Sequence, residues 1–440
     1  MPVVPLAIGA YKRGASFLPE TICRNMVLEA DKSGVSPDKT IRVQRPGLVG
    51  FDVLPAPLRA LDYRIASRQQ IAVSGVGLYA DGVYQGAIGG VDHAPITETA
   101  FTMAILGGEQ IYLYDTALTT LAMPDGRAVQ DIDQLNGYVL ALCPDGVFYW
   151  MLPGQTTIDA LDFADAESLA DGGIAIRRLG DEFLVFGTQT VEPWQATGNA
   201  DAPFQRASGR LYERGCLERD TVRRFDNSIM WVGDDCQVYR IGAVPQVVSD
   251  NGIAERIRNR TARMSAWVFT ADAHKFYCLR IPGQGTFAFD ALTGAWSEFA
   301  TFGETAWNPH VGYEAGGLVY AGSSTDGRVW QVTPDAADDE GLTMERVVTG
   351  TVPVTGKPPR NDSFTIGAGG SGDYTLRLRW RDGQDDFPDY YDDLEVRSPS
   401  SLTDIYRLGS PDQPFRTFEV SILDTVKASI FGAMANEAWK

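Results

Sequence analysis

Short apolar runs separated by tight polar turns recur along most of this chain. Each pair of runs reads as a β-hairpin, in which a strand rich in β-branched residues is followed by one rich in aromatic residues. The hairpins start about 41 residues apart on average, and a period of about 40–45 residues is typical of β-propeller blades. The pattern therefore predicts an all-β fold based on a β-propeller of six to seven blades. The hairpins span residues 69–86, 99–115, 135–152, 180–198, 226–242, 273–290 and 315–333.

The composition of these hairpins fits blades that stack on one another. The strand Tyr138–Leu142 is apolar on both sides, as expected for a sheet covered on both faces. Turns such as Ala80-Asp81-Gly82 and Pro144-Asp145-Gly146 supply residues that accept positive φ. Because one small sheet cannot bury both of its faces alone, the blades are expected to close into a ring.

The chain outside the hairpins divides into three further segments. Residues 1–57 are predicted to form an extended N-terminal arm, because frequent prolines exclude a long helix. The propeller takes residues 58–334, and an acidic linker follows at 335–343. Residues 344–440 contain alternating runs such as Tyr374–Trp380, which indicate strands with one wet face. They predict a C-terminal β-sandwich-like domain.

One segment, Asn251–Met264, departs from the strand pattern and is predicted to form a short helix with Asn251 as its cap. It carries the densest basic cluster of the chain. Arginine is favoured in protein interfaces for its rigid fork, so we interpret this cluster as an interface, with a DNA contact as the alternative. The cluster consists of Arg256, Arg258, Arg260 and Arg263.

The composition is that of a globular protein with an acidic surface. Of its 440 residues, 44% are hydrophobic and 22% are charged, and the formal net charge is −19. This charge argues against a protein that grips DNA or an anionic membrane, but it suits one past which DNA slides. No apolar run approaches the length of about 18 residues that a membrane-spanning helix needs, and no secretory signal is recognisable, so no membrane anchor is expected.

The sequence offers no recognisable catalytic set. The three histidines, His93, His274 and His310, lie in different predicted blades, so a local zinc motif is not available. A GxSxG elbow and a Walker A loop are also absent. Five scattered cysteines without a CxxC pair read as buried apolar residues. We therefore predict a protein that is not an enzyme and that binds no cofactor or metal.

Three segments match ligand-binding motifs only in part. Gly367–Gly372 fits GxGxxG, but it lies between two predicted strands and lacks the helix N-terminus that holds a pyrophosphate, so a hairpin loop is predicted. Ser324–Trp330 approaches the Asp-box turn of sialidase-type propellers, with glycine and tryptophan one residue early, and reads as an Asp-Gly turn. The acidic run 382–395 is predicted to be a solvated loop, with calcium binding as the open alternative. Its aspartates are Asp382, Asp385, Asp386, Asp389, Asp392 and Asp393.

Six segments, in this order, carry a resemblance to a known family. They are FLPETICRNMVLE (17–29), IRVQRPGLVGF (41–51), FLVFGTQTVEPWQATG (183–198), RGCLERDTVRRFDNSIMWVGDD (214–235), VVSDNGIAERIR (247–258) and GTFAFDALTGAWSEF (285–299). In the second segment, Arg45-Pro46-Gly47 is expected to lead into the first blade. The chain resembles the tail hub proteins of short-tailed phages, also called packaged-DNA stabilisation or head-completion proteins. The C-terminal region resembles the family only in being β-rich.

The resemblance implies a structural protein of the virion tail, assembled in the cytoplasm of the bacterial host. It implies a homo-hexameric ring that extends the DNA channel below the portal and the head–tail adaptor. Tail fibres or spikes and a tail plug or needle are the further partners it implies. Double-stranded DNA would pass through the lumen without specific binding, held back until ejection.

Two other functions are compatible with the same sequence. A glycan-binding or glycoside-cleaving β-propeller would present exposed aromatic residues and carboxylates in its central depression. An intracellular scaffold would bind other proteins on a propeller face and would need no ring of copies.

Overall fold

The predicted hairpins form the central parts of seven blades. A computed structural model describes residues 3–14, 18–166, 171–199, 202–354, 363–384, 386–411 and 413–436. Six blades are separate four-stranded antiparallel sheets, and another forms one end of a nine-stranded sheet. The inner strands of neighbouring blades contact one another, and the last contacts the first. The all-β propeller is therefore confirmed, and its blade number is seven.

The strands are numbered in chain order. Upstream of the blades lie β1 (Val3–Val4), β2 (Cys23–Arg24), β3 (Met26–Ala30), β4 (Thr40–Gln44) and β5 (Gly47–Val53). From inner to outer strand, blade 1 contains β6 (Leu58–Arg64), β7 (Gln69–Ser74), β8 (Gly77–Ala80) and β9 (Val83–Ala87), and blade 2 contains β10 (Ile96–Glu98), β11 (Met103–Gly107), β12 (Gln110–Tyr114) and β13 (Leu118–Leu121). Blade 3 contains β14 (Asp131–Leu135), β15 (Tyr138–Leu142), β16 (Val147–Met151) and β17 (Phe163–Asp165). Blade 4 contains β18 (Gly173–Leu179), β19 (Glu182–Gly187), β20 (Val191–Ala196) and β21 (Phe204–Arg206).

Blades 5 to 7 follow the same order. They contain β22 (Arg223–Arg224), β23 (Ile229–Val232), β24 (Val238–Ile241) and β25 (Pro245–Val247); β26 (Ser265–Ala271), β27 (His274–Ile281), β28 (Gly285–Asp290) and β29 (Trp296–Phe299); β30 (Pro309–Ala315), β31 (Leu318–Ser323) and β32 (Arg328–Thr333). Downstream lie β33 (Arg346–Pro353), β34 (Ser363–Gly370), β35 (Tyr374–Asp382), β36 (Asp392–Val396), β37 (Ser400–Tyr406), β38 (Phe415–Ile422) and β39 (Ala428–Ala435). The described helices are α1 (Asn251–Arg258) and two short 3-10 turns, Pro124–Gly126 and Arg219–Thr221.

Blade 7 is completed by a strand from upstream of the propeller. β5 pairs antiparallel with β32 as the outer strand of this blade, with Leu48 opposite Val332. The prediction that Arg45-Pro46-Gly47 leads into the first blade is therefore wrong, because these residues lead into the last. Gly47 permits this approach, since a Cβ at this position would lie 2.4 Å from the carbonyl oxygen of Asp338. A strand from one end of the propeller thus closes the ring at the other end.

Seven apolar clusters fill the spaces between neighbouring blades. Between blades 3 and 4, for example, Phe148 and Trp194 meet edge to face with ring centroids 4.9 Å apart. Because both faces of each blade are covered, a central strand such as β15 is apolar throughout. The aromatic residues of the hairpins are therefore core residues that lie between blades.

The downstream strands form a β-sandwich together with the upstream strands. One sheet has the order β3-β4-β39-β34-β37, with β1 also paired to β39, and the other has the order β2-β33-β38-β35-β36. Ile366, Leu376 and Val420 are fully buried between the two sheets. The N-terminal arm is thus extended, as predicted, but it is paired strand by strand with the sandwich and with blade 7. β39 was not predicted, because the many small residues of Ala428–Ala435 give no strong strand signal.

The sandwich is joined to blade 6 by a continuous sheet. β2 pairs in parallel with β29 at Arg24 and Glu298 and in antiparallel fashion with β33. Beside this junction, the fully buried Arg45 donates to both carboxylate oxygens of Asp339, at 3.0 and 2.6 Å. The predicted acidic linker 335–343 is therefore held in the interior at Asp339, because the buried guanidinium requires a counter-charge.

α1 is shorter than the sequence predicts. It ends at Arg258, and its cap is Asp250, whose side chain accepts a hydrogen bond of 2.9 Å from the Ile253 amide. The predicted cap, Asn251, is already the first helical residue. Ile253 and Ile257 are buried between blades 5 and 6, as the apolar spacing of the segment predicts.

Candidate functional site

Titratable side chains gather around the propeller axis. The inner strands surround a cavity of about 170 Å³. At about 30 Å³ per water molecule, it holds only a few waters. Six titratable side chains line it, beside apolar residues such as Leu61, Ile132 and Trp267. The six are Asp62, His93, Asp133, Arg177, Arg223 and Arg224.

One buried ion pair on the axis joins blades 3 and 4. Arg177 donates to Asp131, and the Ile176 amide donates to the same carboxylate at 2.9 Å. Asp131 is fully buried, and burial raises its pKa, while the guanidinium of Arg177 opposes that rise. Arg177 also donates to the carbonyl of Val222, just before blade 5. The inner strands are therefore tied together by charge as well as by apolar packing.

A second buried network centres on His93, between blades 1 and 2. Arg223 donates to His93 Nε2 at 3.1 Å, and His93 Nδ1 lies 3.4 Å from an Asp220 oxygen. Burial lowers the pKa of His93 to about 4, so the imidazole is neutral at pH 7 and accepts through Nε2. Burial opposes the ionisation of Asp220, but His93 and Arg219 outweigh it and lower the pKa of Asp220. The connection between blades 1 and 2 thus meets the segment that leads into blade 5.

Sequence reasoning missed this polar axis, although a signal for it is present. Arginine doublets lie on the inner strands of two neighbouring blades, at the same position relative to the hairpins that follow them, as Arg177-Arg178 and Arg223-Arg224. Inner strands of a propeller face the axis, so a charged doublet repeated there indicates a polar centre. Asp131 and Asp133 on the inner strand of blade 3 supply the matching negative charge.

The predicted interface arginines do not form one patch. Arg256 pairs with Glu20 at 3.1 Å, and Arg260 pairs with Glu218 at 2.9 Å. Arg263 makes an exposed pair with Asp92 at 3.3 Å. Arg258 is exposed at the end of α1. These contacts hold α1 and the loop after it on the propeller, and a role of the four arginines toward a partner stays a prediction.

The other two histidines have partners within the chain. His310 Nε2 donates to the Leu58 carbonyl at 2.7 Å, and burial lowers the pKa of His310 to about 3. His274 lies 3.0 Å from Asp290, and this hydrogen bond raises the pKa of His274 against the effect of burial. The three histidines are therefore held in separate networks and do not converge on one reaction centre.

The acidic run 382–395 is attached to arginines of the sandwich. Asp382 accepts two hydrogen bonds from Arg416, at 2.6 and 2.8 Å. Arg377 pairs with Asp393 at 3.4 Å, and its guanidinium lies 4.3 Å from the ring centre of Tyr391. Asp385 lies outside the described residues. Calcium binding by this run stays a prediction without a test.

The two remaining motifs have structural positions. Gly367–Gly370 belong to β34 and not to a hairpin loop, since β34 and β35 lie in different sheets. The close packing explains the glycines, because a Cβ at Gly369 would lie 2.4 Å from the Pro399 carbonyl oxygen. Ser324–Gly327 form the turn between β31 and β32, and Trp330 packs between blades 6 and 7.

Metal-ligating side chains do not assemble in the part of the chain that the structure describes: no group of three or more His, Cys, Asp or Glu residues is placed to hold an ion. The five cysteines are free thiols, and four of them are buried. Among the described helices, none is long and apolar enough to cross a membrane.

Comparison with known structures returns propeller-sized chains at low identity. The computationally designed Ika8 protein covers 65% of this chain and 99% of its own length, at 11% identity and a TM-score of 0.39. The N-terminal domain of Nup159 covers 71% and 99%, at 11% identity and a TM-score of 0.42. U3-55K covers 66% and 98%, at 11% identity and a TM-score of 0.40. At these scores the fold assignment rests on the strand pairing described above.

Comparison with protein families is more specific. A search of curated protein sequences returns no match. The family model Phage_stabilise, described as "Bacteriophage P22 Gp10, beta-propeller", matches residues 2–337. The match spans the upstream strands and all seven blades and ends before the downstream strands of the sandwich. The chain therefore belongs to the bacteriophage P22 Gp10 β-propeller family and is a structural phage protein.

Proposed function

We propose that the chain is a tail hub, or nozzle, of a short-tailed phage. Six copies form a ring that extends the DNA channel below the portal and the head–tail adaptor. The ring retains the packaged genome and permits its ejection into the host. Membership of the bacteriophage P22 Gp10 family supports this proposal. The role is mechanical, and no catalytic step is assigned to the chain.

The main structural support for a ring of copies is that the axis of a single propeller is closed. The axial cavity is about 170 Å³, and Arg177 in its lining is held by the buried ion pair with Asp131. A DNA duplex, whose major groove alone is about 12 Å wide, cannot pass through it. A channel for DNA must therefore run between copies of the chain, and the copies must surround it.

Charge supports a channel that does not hold its cargo. The net charge of −19 leaves few basic side chains free to release counterions from phosphates. Many of the arginines are already paired within the chain, as in Arg45–Asp339 and Arg177–Asp131. DNA would then slide along an acidic wall. Such a wall suits a genome that is held back by a plug and that leaves without having to dissociate from the channel.

The continuous sheet from blade 6 into the sandwich suits a part under mechanical load. Paired strands run without a break from β26 to β36, so the propeller and the sandwich are not two bodies on a flexible linker. In the proposed particle this body contacts the adaptor or portal, tail fibres or spikes, and a plug or needle. The protein is placed in the virion tail, after assembly in the host cytoplasm.

The test is the oligomeric state of the purified protein. Its mass is measured by light scattering, and its particles are imaged by negative-stain electron microscopy. It is measured alone and after mixing with the portal and adaptor of the same phage. Six-fold rings, formed alone or on the adaptor, are expected. A monomer that ignores both partners would overturn the hub. The alternative of a glycan-binding propeller calls for exposed aromatic residues at the axis. The described lining of the axial cavity contains one Phe, Tyr or Trp residue, Trp267, which is only 4% exposed.

A further inference from the structure

Charge is distributed unevenly around the propeller. The stretch from Arg127 to Arg177, which includes all of blade 3, contains eight acidic residues and no lysine or arginine between its ends. Blade 5 with the helix after it, residues 223–264, contains seven arginines against five acidic residues. The most acidic blade and the most basic blade therefore lie on one ring, two positions apart.

The outer edge of blade 3 forms an apolar and acidic knob, residues 152–165. The loop between β16 and β17 is the longest of the described loops between third and fourth strands, and Leu161 near its end is 83% exposed. Phe163 is 46% exposed, and its ring is tilted against that of Tyr149, with the ring centroids 5.6 Å apart. Large apolar side chains in such a position indicate a contact surface.

Two carboxylates of the knob, those of Asp159 and Asp162, lie beside its exposed apolar side chains. Asp159 and Asp162 flank Leu161, and neither makes a salt bridge within the described residues. Burial raises the pKa of Asp162, and the neighbouring Asp159 raises it further. A cationic surface placed against the knob would relieve this repulsion.

The outer edge between blades 5 and 6 forms a groove of about 390 Å³. One wall is the end of blade 5, where Val247 is 52% exposed, and the other is the upstream segment, where Ile8 is 69% exposed. Lys12, 58% exposed and paired with Glu20 at 3.1 Å, follows this segment directly, and the exposed Arg258 lies at the end of α1, beyond Val247 in the chain. The groove is thus lined mainly by apolar and uncharged side chains, with Asp250, the cap of α1, as its acidic member. The basic side chains of the neighbouring segment and helix are the feature that would attract the acidic knob.

We propose that the knob of one copy docks into the groove of the next copy. The contact is head-to-tail, so every subunit uses both surfaces, and repeated contacts close into a ring if the angle between the surfaces allows it. Neighbouring blades of a seven-bladed propeller lie about 51° apart, so the knob and the groove, two and a half blades apart, subtend about 130°. A six-membered ring with parallel propeller axes needs about 120°.

The inference rests on the proposed ring but is tested separately from it. Leu161→Asp is introduced in the knob, and Val91→Asp is the matched control, since Val91 is also 83% exposed but lies in the connection between blades 1 and 2. Both variants are expected to fold, with unchanged circular dichroism and melting. Leu161→Asp is expected to raise the concentration at which rings dissociate at least tenfold, while Val91→Asp leaves it unchanged.

Charge reversal adds a test with built-in rescue. The pair Asp159→Arg and Asp162→Arg is expected to disrupt rings, and so is the pair Lys12→Glu and Arg258→Glu. A chain that carries all four changes is expected to recover them, because the charges are exchanged between the two surfaces. A photo-crosslinking amino acid in place of Leu161 is expected to react with residues 8–11, 247–250 or 294–296 of a neighbouring copy.

The outcomes separate the two proposals. If the unchanged chain forms rings and the Leu161→Asp chain forms equally stable ones, the proposed docking surface is wrong and the tail hub is unaffected. Crosslinks that map to another surface would lead to the same conclusion. An unchanged chain that stays monomeric with and without portal and adaptor would overturn both. Dissociation of the Leu161→Asp rings with rescue by charge exchange would support the contact.

Discussion

The propeller and the sandwich are both built from antiparallel strands, but they use the chain in opposite ways. Within blades 1 to 6, every strand pairs with the next strand along the chain. In the sandwich, β1 pairs with β39, which places Val3 opposite Met434. Local pairing costs little loop-closure entropy, whereas pairing over such a distance is favourable only when most of the fold already exists. The comparison suggests that the propeller forms first and that the sandwich locks it.

The largest expected effect comes from removing the segment that both regions share. A chain without residues 1–53 loses the outer strand of blade 7 and four strands of the sandwich. It is expected to aggregate or to melt without a cooperative transition, because both regions lose strands that cover their cores. A chain limited to residues 45–343 keeps β5 and the Arg45–Asp339 pair, and it is expected to melt cooperatively. Circular dichroism with limited proteolysis would check both, and a soluble first variant with unchanged melting would contradict the shared-segment view.

The buried ion pair at the junction is expected to give the next largest effect. Arg45→Ala leaves Asp339, 3% exposed, without its counter-charge and removes the stacking of Arg45 on Trp307. The free energy of unfolding is expected to fall by about 3–5 kcal/mol. Arg328→Ala, which breaks exposed pairs with Asp326 and Glu340, is the control and should cost less than about 1 kcal/mol.

Chemical denaturation would measure both losses. A double variant, Arg45→Met with Asp339→Leu, should recover part of the stability, because no buried charge is then left unpaired. Equal costs for Arg45→Ala and Arg328→Ala would mean that the junction does not depend on this pair.

A smaller effect, confined to the propeller, is expected to depend on pH. Burial, and to a lesser extent Glu98, raise the pKa of Asp62 to about 6, while the Tyr63 amide and Arg224 oppose the rise. The folded chain therefore binds this proton more tightly than the unfolded one, so stability falls as pH rises from about 4 through about 6. Asp62→Asn should raise the free energy of unfolding by roughly 1–3 kcal/mol at pH 7 and by little at pH 4.

Melting curves at the two pH values would measure this difference. Asp326→Asn changes an exposed carboxylate in a blade 7 turn and is the control for a general effect of net charge. A gain of equal size at pH 4 and pH 7 would show that Asp62 does not carry the penalty.

The smallest effects are expected at α1. Arg256→Ala removes the pair with Glu20 and the stacking on Phe287, and it should cost about 1 kcal/mol. Arg258→Ala changes an exposed side chain and should cost less than about 0.5 kcal/mol. Thermal melting of the monomer would rank them, and a larger loss for Arg258→Ala would mean that this residue is held by contacts within the chain.

The same difference explains what could be predicted from the sequence. The hairpin period identifies the blades because each blade is contiguous, and the burial of strands such as β15 follows from the alternation of residues. Nothing in residues 47–53 indicates that they pair with residues 328–333, since no local pattern records a partner so distant in sequence. The same holds for the candidate site. The arginine doublets could be recognised in the sequence, but the pairing of Arg177 with Asp131 could not, because Asp131 lies on the neighbouring blade.

The pairing of β1 with β39 also has a consequence for synthesis. Val3 and Val4 leave the ribosome long before their partners, Met434 and Ala433, are made. A chain that stops before residue 428 lacks the strand that lies between β4 and β34 at the centre of its sheet. Its sheet edges stay unpaired and invite aggregation or proteolysis. We therefore expect incomplete translation products to be removed by aggregation or proteolysis before they can assemble into a larger particle.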